Sequence, residues 1–145
     1  MENIEIRKME LTDLESIKNI FTSDFDNFWS FNVLKEELDN EHSNYLLAKF
    51  NKEIVGFAGI KIVLDEADIM NIVTKKTYRS NGIGTMLLNN LISLCSELGI
   101  KTINLEVSEE NLPAIHLYEK FGFKIIGNRK NYYQSKNAIL MKKTL

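Results

Sequence analysis

Apolar and polar residues alternate in Ile4-Glu5-Ile6-Arg7-Lys8-Met9, the two-residue period of a strand. Thr12-Asp13-Leu14-Glu15 fits a capping box, and Leu14, Ile17, Ile20 and Phe21 then recur at helical spacing, so a helix is expected over 12–21. Residues 24–31 are aromatic and acidic but aperiodic. Ser30 or Asn32 is expected to cap a second, short helix that turns Val33, Leu34 and Leu38 inward. Residues 45–50 and 54–63 read as strands around an Asn51-Lys52-Glu53 turn, and Gly56 and Gly59 mark a bend or a close backbone approach in the second. Leu64-Asp65-Glu66 is the next turn and 67–74 the next strand. A long apolar-periodic helix is expected over 83–98, stopped by Gly99. Residues 102–107 alternate as a strand. Asn111 is expected to cap a short helix with Pro113 in its first turn, packed through Ala114, Leu117, Tyr118 and Phe121 and ended by Gly122. Residues 123–128 and 138–142 read as the last two strands, joined by a polar stretch that contains Tyr132-Tyr133.

Strand, two helices, three strands, helix, strand, helix, two strands is a mixed α+β order. No linker, repeat or low-complexity segment interrupts it. The 145 residues are expected to form one domain around one core.

Composition narrows the function classes. A net charge of −2 gives no push towards nucleic acid or an anionic membrane. Cys95 is the only cysteine, so no intramolecular disulfide is possible, and its place among Leu91, Leu94 and Leu98 points to core packing. His42 and His116 are the only histidines, so no metal site is expected. The N-terminus does not read as a signal peptide, and a cytoplasmic protein is expected.

The stretch with the strongest chemical character is 79–85, Arg-Ser-Asn-Gly-Ile-Gly-Thr, between a strand and a helix. Gly82 and Gly84 let the backbone approach a ligand closely. Amides at the helix start lack internal partners and can point at an anion. The loop therefore reads as a phosphate cradle. A Rossmann loop would have a third glycine where Leu87 stands, and a Walker loop would end in Gly-Lys-Ser/Thr where Gly84 is followed by Thr85 and Met86.

Along 102–107, Ile103, Leu105 and Val107 share one face and Thr102, Asn104 and Glu106 the other. A carboxylate among aliphatics is paired, wet or exposed to a cleft. Glu106 is thus either an ordinary surface acid or a general base.

Arg79-x-x-Gly82-x-Gly84, followed by Asn111-x-x-Ala114-x-x-Leu117-Tyr118-x-x-x-Gly122-Phe123, resembles the GNAT superfamily of N-acetyltransferases. Leu64-Asp65-Glu66-Ala67, Asn71-Ile72, Leu105-Glu106-Val107 and Arg129-Lys130-Asn131-Tyr132-Tyr133 are similar to its bacterial RimI subfamily, whose members acetylate the N-terminal alanine of a small-subunit ribosomal protein. Phe28-Trp29-Ser30 matches a Trp-Ser in those enzymes. The resemblance spans nearly the whole chain. It implies a mostly antiparallel twisted sheet of about seven strands flanked by about four helices.

The resemblance also implies roles. Backbone amides of Ile72, Val73 and Thr74 would meet the acetyl carbonyl and pantetheine arm of acetyl-CoA. Arg79, Ser80, Asn81, Gly82, Ile83, Gly84 and Thr85 would hold the pyrophosphate, with Asn111 touching the cofactor from the short helix. Glu106 would be the general base and Tyr118, reaching towards the CoA sulfur, the general acid. Phe28, Trp29, Ser30, Tyr132 and Tyr133 would border the acceptor. Ser80 and Asn81 are neutral where relatives often carry Arg or Lys, so one phosphate contact is expected either to be weaker or to come from Lys75, Lys76 or Arg79. Asp24, Asp26, Asp65 and Glu66 are candidates to attract a basic acceptor tail.

The expected partner is a protein N-terminus, with no nucleic acid or membrane and with the chain a monomer or weak dimer. Rival readings are acetylation of a small amine or of lysine side chains, and an acyl-CoA-binding module without turnover. The latter needs neither Glu106 nor Tyr118.

Overall fold

The computed structural model describes residues 3–25, 29–133 and 136–145, with side chains for all of these except 131–133 and 136. Seven strands form one sheet: β1 (Ile4–Lys8), β2 (Ser43–Phe50), β3 (Glu53–Val63), β4 (Glu66–Thr74), β5 (Thr102–Ser108), β6 (Lys124–Tyr133) and β7 (Lys136–Thr144). Their order is β1-β2-β3-β4-β5-β7-β6, and every neighbouring pair is antiparallel except β4–β5. This is the mixed, mostly antiparallel arrangement expected from the sequence. The β2–β3 turn places Asn51 and Lys52 at φ of 51° and 68°, the left-handed pair that a tight hairpin requires.

The α-helices are α1 (Leu11–Ser16), α2 (Phe21–Asp24), α3 (Phe31–Leu38), α4 (Ile83–Glu97) and α5 (Leu112–Lys120). One core layer lies between the sheet and α4 and α5, where Leu87, Leu88, Leu91 and Cys95 meet Ala58, Ile60, Ile103 and Met141. The opposite face of β2–β4 is covered by the first three helices, which bury Leu14, Phe21, Phe25 and Leu34 against Tyr45, Leu47 and Phe57. Alternation along β2 supplies both layers, with Tyr45 and Leu47 in the second and Ala48 in the first.

The single helix expected over 12–21 is broken. Ile17 leaves helical geometry at φ −107°, ψ 11°, a 3-10 turn follows at Lys18–Ile20, and α2 restarts at Phe21. The break carries Phe21 and Phe25 round onto Phe57, at ring-centroid distances of 6.3 and 5.8 Å. The cap also shifts. Glu10, not Thr12, precedes the first turn, and its N–H donates to Asp13 Oδ2 at 2.7 Å. Asp13 is fixed there by two bonds from Arg7, at 2.9 and 2.7 Å. The second helix starts as expected, with Ser30 Oγ accepting the Val33 N–H at 3.2 Å. The last two strands run further than expected, so Tyr132 and Tyr133 belong to β6 and not to a connecting stretch.

Two glycines in β3 are explained by what lies over them. A β-carbon on Gly56 would stand 2.8 Å from the Val73 carbonyl oxygen and 3.0 Å from Ile83, where the start of α4 crosses the sheet. A β-carbon on Gly59 would stand 2.2–2.5 Å from the Tyr45 ring. Gly59→Ala is therefore expected to lower stability by about 1–3 kcal/mol, the range for overpacking. Urea unfolding would report it as a lower midpoint with an unchanged slope. In a Tyr45→Ala background, where no ring lies over the glycine, the further loss caused by Gly59→Ala should shrink. An unshifted midpoint in Gly59→Ala would mean that the ring does not rest on this glycine.

Candidate active site

β4 and β5 pair at only three positions, Glu66↔Thr102, Ala67↔Ile103 and Asp68↔Asn104. Beyond them β4 continues to Thr74 and β5 to Ser108. Met70 is the extra residue of a bulge, since Ile60 faces Ile69 and Gly59 faces Asn71. A bulge bends the strand that carries it, and here β4 leaves β5. The gap is a cleft of about 880 Å³ walled by β4 from 68 to 73 and β5 from 104 to 108. Tyr118 of α5, Ile126 of β6 and Trp29 also line it. Along this stretch the β4 edge facing the gap has no strand beside it, so its outward amides are open to a ligand.

Where β4 ends, the chain makes a 3-10 turn at Lys76–Tyr78 and enters the glycine loop. Ser80 and Gly82 stand at φ of 67° and 79°. Such left-handed positions between ordinary ones turn successive amides to one side, a shape that holds anions. Gly82 caps α4 without a side-chain bond, and the first turn of α4 carries no acidic residue. The amides of Ile83, Gly84 and Thr85 thus open the helix without an intrahelical acceptor. A β-carbon at Gly82 would meet nothing within 4 Å, and one at Gly84 only Ile72 and Thr74, both at 3.9 Å. The loop mouth is open and adjoins the end of β4. A pyrophosphate fits this donor set.

The side chains near the loop are not all disposed as the sequence suggested. Lys75 is buried, 9% exposed, and is bound to Glu53 and to Asp24 Oδ2, the latter at 3.6 Å. Tyr78 completes the group by donating to Glu53 Oε2 at 2.8 Å. Lys75 is therefore committed to the fold and is withdrawn from the phosphate candidates. Asn81 uses its side-chain amide to brace the loop, donating to the carbonyls of Tyr78 at 3.0 Å and Arg79 at 3.2 Å. Arg79 itself is exposed.

Glu106 alternates out of β5 between buried Leu105 and Val107 and lines the cleft. It is not buried, and no lysine pairs with it among the described residues. Arg129 of β6 reaches it across β7, Nη2 to Oε1 at 2.9 Å. Tyr118 approaches from α5, its ring edge-on to Phe123 at 5.8 Å between centroids. Burial raises the Tyr118 phenol above its ordinary value, so it keeps its proton at neutral pH. Asn111 lines the cleft while its side chain caps α5, accepting the Ala114 N–H at 3.3 Å.

The cleft thus gathers Ile72, Val73, Glu106, Asn111, Tyr118 and Trp29, and the glycine loop stands beside it. Trp29 also packs against the second core layer, whereas Ser30 is an exposed helix cap. Phe28 and Asp26 lie outside the described residues, as do the side chains of Tyr132 and Tyr133. Of the acids considered for a basic acceptor, Asp24 is bound to Lys75, Asp65 lies 3.9 Å from Lys101, and Glu66 accepts from Thr102 and Asn104. The acids that line the cleft are Asp68 and Glu106. Asn71 also lines it and was singled out only as part of a matching segment. Its signal was a lone polar side chain inside the apolar run 69–73. Cys95 is buried, and burial pushes its thiol up to about 11, consistent with a packing role.

Residues 14–123 match the family model described as acetyltransferase (GNAT) family. The chain is 39% identical over 141 residues to the [ribosomal protein bS18]-alanine N-acetyltransferase of Haemophilus influenzae, covering 94% of this chain and 95% of that protein. It is 34% identical over 140 residues to the protein of the same name from Escherichia coli K12, covering 94% of each. The crystal structure of the ribosomal-protein-S18-alanine N-acetyltransferase from Escherichia coli superposes with a TM-score of 0.89 at 32% identity, over 97% of this chain and 93% of that one.

Proposed function

Since the chain belongs to the acetyltransferase (GNAT) family, an acetyl-CoA-dependent one, we propose that it acetylates the α-amino group of an N-terminal alanine on a small-subunit ribosomal protein. The 145 residues would act as one domain, in the cytoplasm. The observation that carries the proposal is the cleft between diverging β4 and β5, with Glu106 and Tyr118 on it and a donor-rich glycine loop beside it.

Acetyl-CoA supplies an activated thioester. The amides from Ser80 to Thr85 hold its pyrophosphate, and those of Ile72, Val73 and Thr74 on the open β4 edge receive the pantetheine arm and the acetyl carbonyl. Amides fixed by the sheet need no reorganisation as an oxyanion develops. Asn111 fixes the start of α5 and so the aim of Tyr118, which donates its proton to the departing thiolate. Glu106, tethered through Oε1 to Arg129, accepts the amine proton through a water. Its task is light, because an α-amino group has a pKa of about 8 and a lysine about 10.4. The amine then attacks directly, and buried Cys95 takes no part. Trp29, with Phe28, Ser30, Tyr132 and Tyr133, is proposed to border the acceptor.

The test is free-thiol release from acetyl-CoA over a small peptide panel. An Ala-starting peptide is expected to exceed its N-terminally blocked, lysine-containing form by about a hundredfold or more in kcat/KM, since the free-base fractions of the two amines at neutral pH differ by roughly two hundredfold. Equal or faster acetylation of the blocked peptide would make this a lysine acetyltransferase. A preference for a polyamine would move it to small-molecule acceptors.

A further inference from the structure

Asn71 is the polar interruption in the apolar run of β4, and its side chain is held from behind. Tyr45, Gly59 and Asn71 stand side by side across β2, β3 and β4. The Tyr45 ring crosses β3 over Gly59, the one kind of residue that leaves it room. This brings the Tyr45 hydroxyl to Asn71, whose Nδ2 donates to it at 3.5 Å. Tyr45 is 3% exposed, so the hydroxyl is a fixed post and not a solvated one. The other end of the amide is unserved, because Asn71 Oδ1 is buried without a hydrogen-bond partner among the described residues. An interior oxygen in that state lowers stability, and native proteins keep few of them without a functional reason. Here the residue lines the cleft one position before Ile72.

We propose that Asn71 binds the acceptor, its Oδ1 taking the backbone N–H of the acceptor's second residue. This rests on the N-terminal acetylation reading and refines it. An α-amine poised at Ile72 and Val73 places the next residue about 3.8 Å away along the peptide. That is close to the step back along β4 from Ile72 to Asn71, about 3.4 Å. The bond would register the peptide by a group that every acceptor possesses and would leave the first side chain to be read elsewhere.

The probes are an Ala-starting peptide and the same peptide N-methylated at its second residue, which removes that N–H and keeps the α-amine. In the wild-type enzyme methylation is expected to raise the peptide KM about tenfold or more, the loss from stranding one buried acceptor. In Asn71→Ala the KM for the unmethylated peptide should rise by a similar factor, methylation should add little, and the KM for acetyl-CoA should stay put. Asn71→Leu, which keeps the volume, serves the same comparison if the alanine variant folds poorly. A methylation penalty undiminished in these variants, with good activity on the unmethylated peptide, overturns this inference alone. Wild-type enzyme that ignores the Ala-starting peptide overturns it together with the reading beneath it.

Discussion

Tyr118→Phe is expected to lower kcat by about 10²- to 10⁴-fold, the range for loss of a positioned proton donor. The substitution removes one oxygen and little else. The ring still meets Phe123 edge-on, and α5 keeps its cap at Asn111 and its stop at Gly122, where φ is 91°. Binding of acetyl-CoA, which we propose the loop at 80–85 and the β4 edge govern, should therefore change little, so kcat and kcat/KM fall together. The phenol is suited to the role because burial holds it protonated until the thiolate forms. Glu106→Gln should also slow the reaction, but with a loss that narrows as pH rises and free amine accumulates. Steady-state thiol release in both variants between pH 6.5 and about 9, spanning the α-amine pKa, separates the two roles. A Tyr118→Phe enzyme with the wild-type kcat would remove the acid from this site and leave the departing thiolate to solvent.

Most of the framework was legible because it rests on local signals. Strands at 4–8 and 102–108 announce themselves by alternation, α3 by Ser30, α5 by Asn111 and Pro113, and the ends of α4 and α5 by Gly99 and Gly122. Glu106 was legible as an acid on the polar face of its strand and Tyr118 only through the resemblance carried by its helix, and both line the cleft. What escaped depends on tertiary contacts. Nothing local near Ile17 says that the first helix must break, since the reason is where Phe57 stands on another strand. Nothing near Lys75 says that Glu53, at the start of β3, will claim it. The opening between β4 and β5 depends on an extra residue at Met70, which a strand pattern cannot reveal without its partner's register. Gly59 was noticed as an oddity, but its purpose is a tyrosine on the neighbouring strand and an asparagine on the next.

The glycine loop carries the second large effect. Gly84→Val is expected to abolish the stabilisation that acetyl-CoA gives the folded chain. At a ligand concentration of a hundred times Kd, preferential binding to the native state is worth about 2.7 kcal/mol. For a chain of this size that is a rise in melting temperature of about 5–10 °C. Gly84 is a clean place to remove it. The residue is the second of α4 and is not at a left-handed φ, and a β-carbon there would touch Ile72 and Thr74 only at 3.9 Å. Valine is also a better helix residue than glycine, so the ligand-free protein should melt no lower than wild type. Its methyl groups would occupy the space in front of the unpaired amides, where a phosphate must come close enough to accept from them. Gly82→Ala is the instructive contrast. Gly82 sits at φ 79° with open space around it, so alanine there meets no clash but carries a left-handed backbone penalty of about 1–2 kcal/mol. That variant should melt lower without ligand and still respond to acetyl-CoA if the loop keeps its path. Thermal melts with and without acetyl-CoA distinguish the pair: one loses the response and keeps the fold, the other loses stability and keeps a response. A full ligand-induced shift in folded Gly84→Val would mean that the pyrophosphate does not lie on this loop, and the cofactor would have to be seated elsewhere along β4.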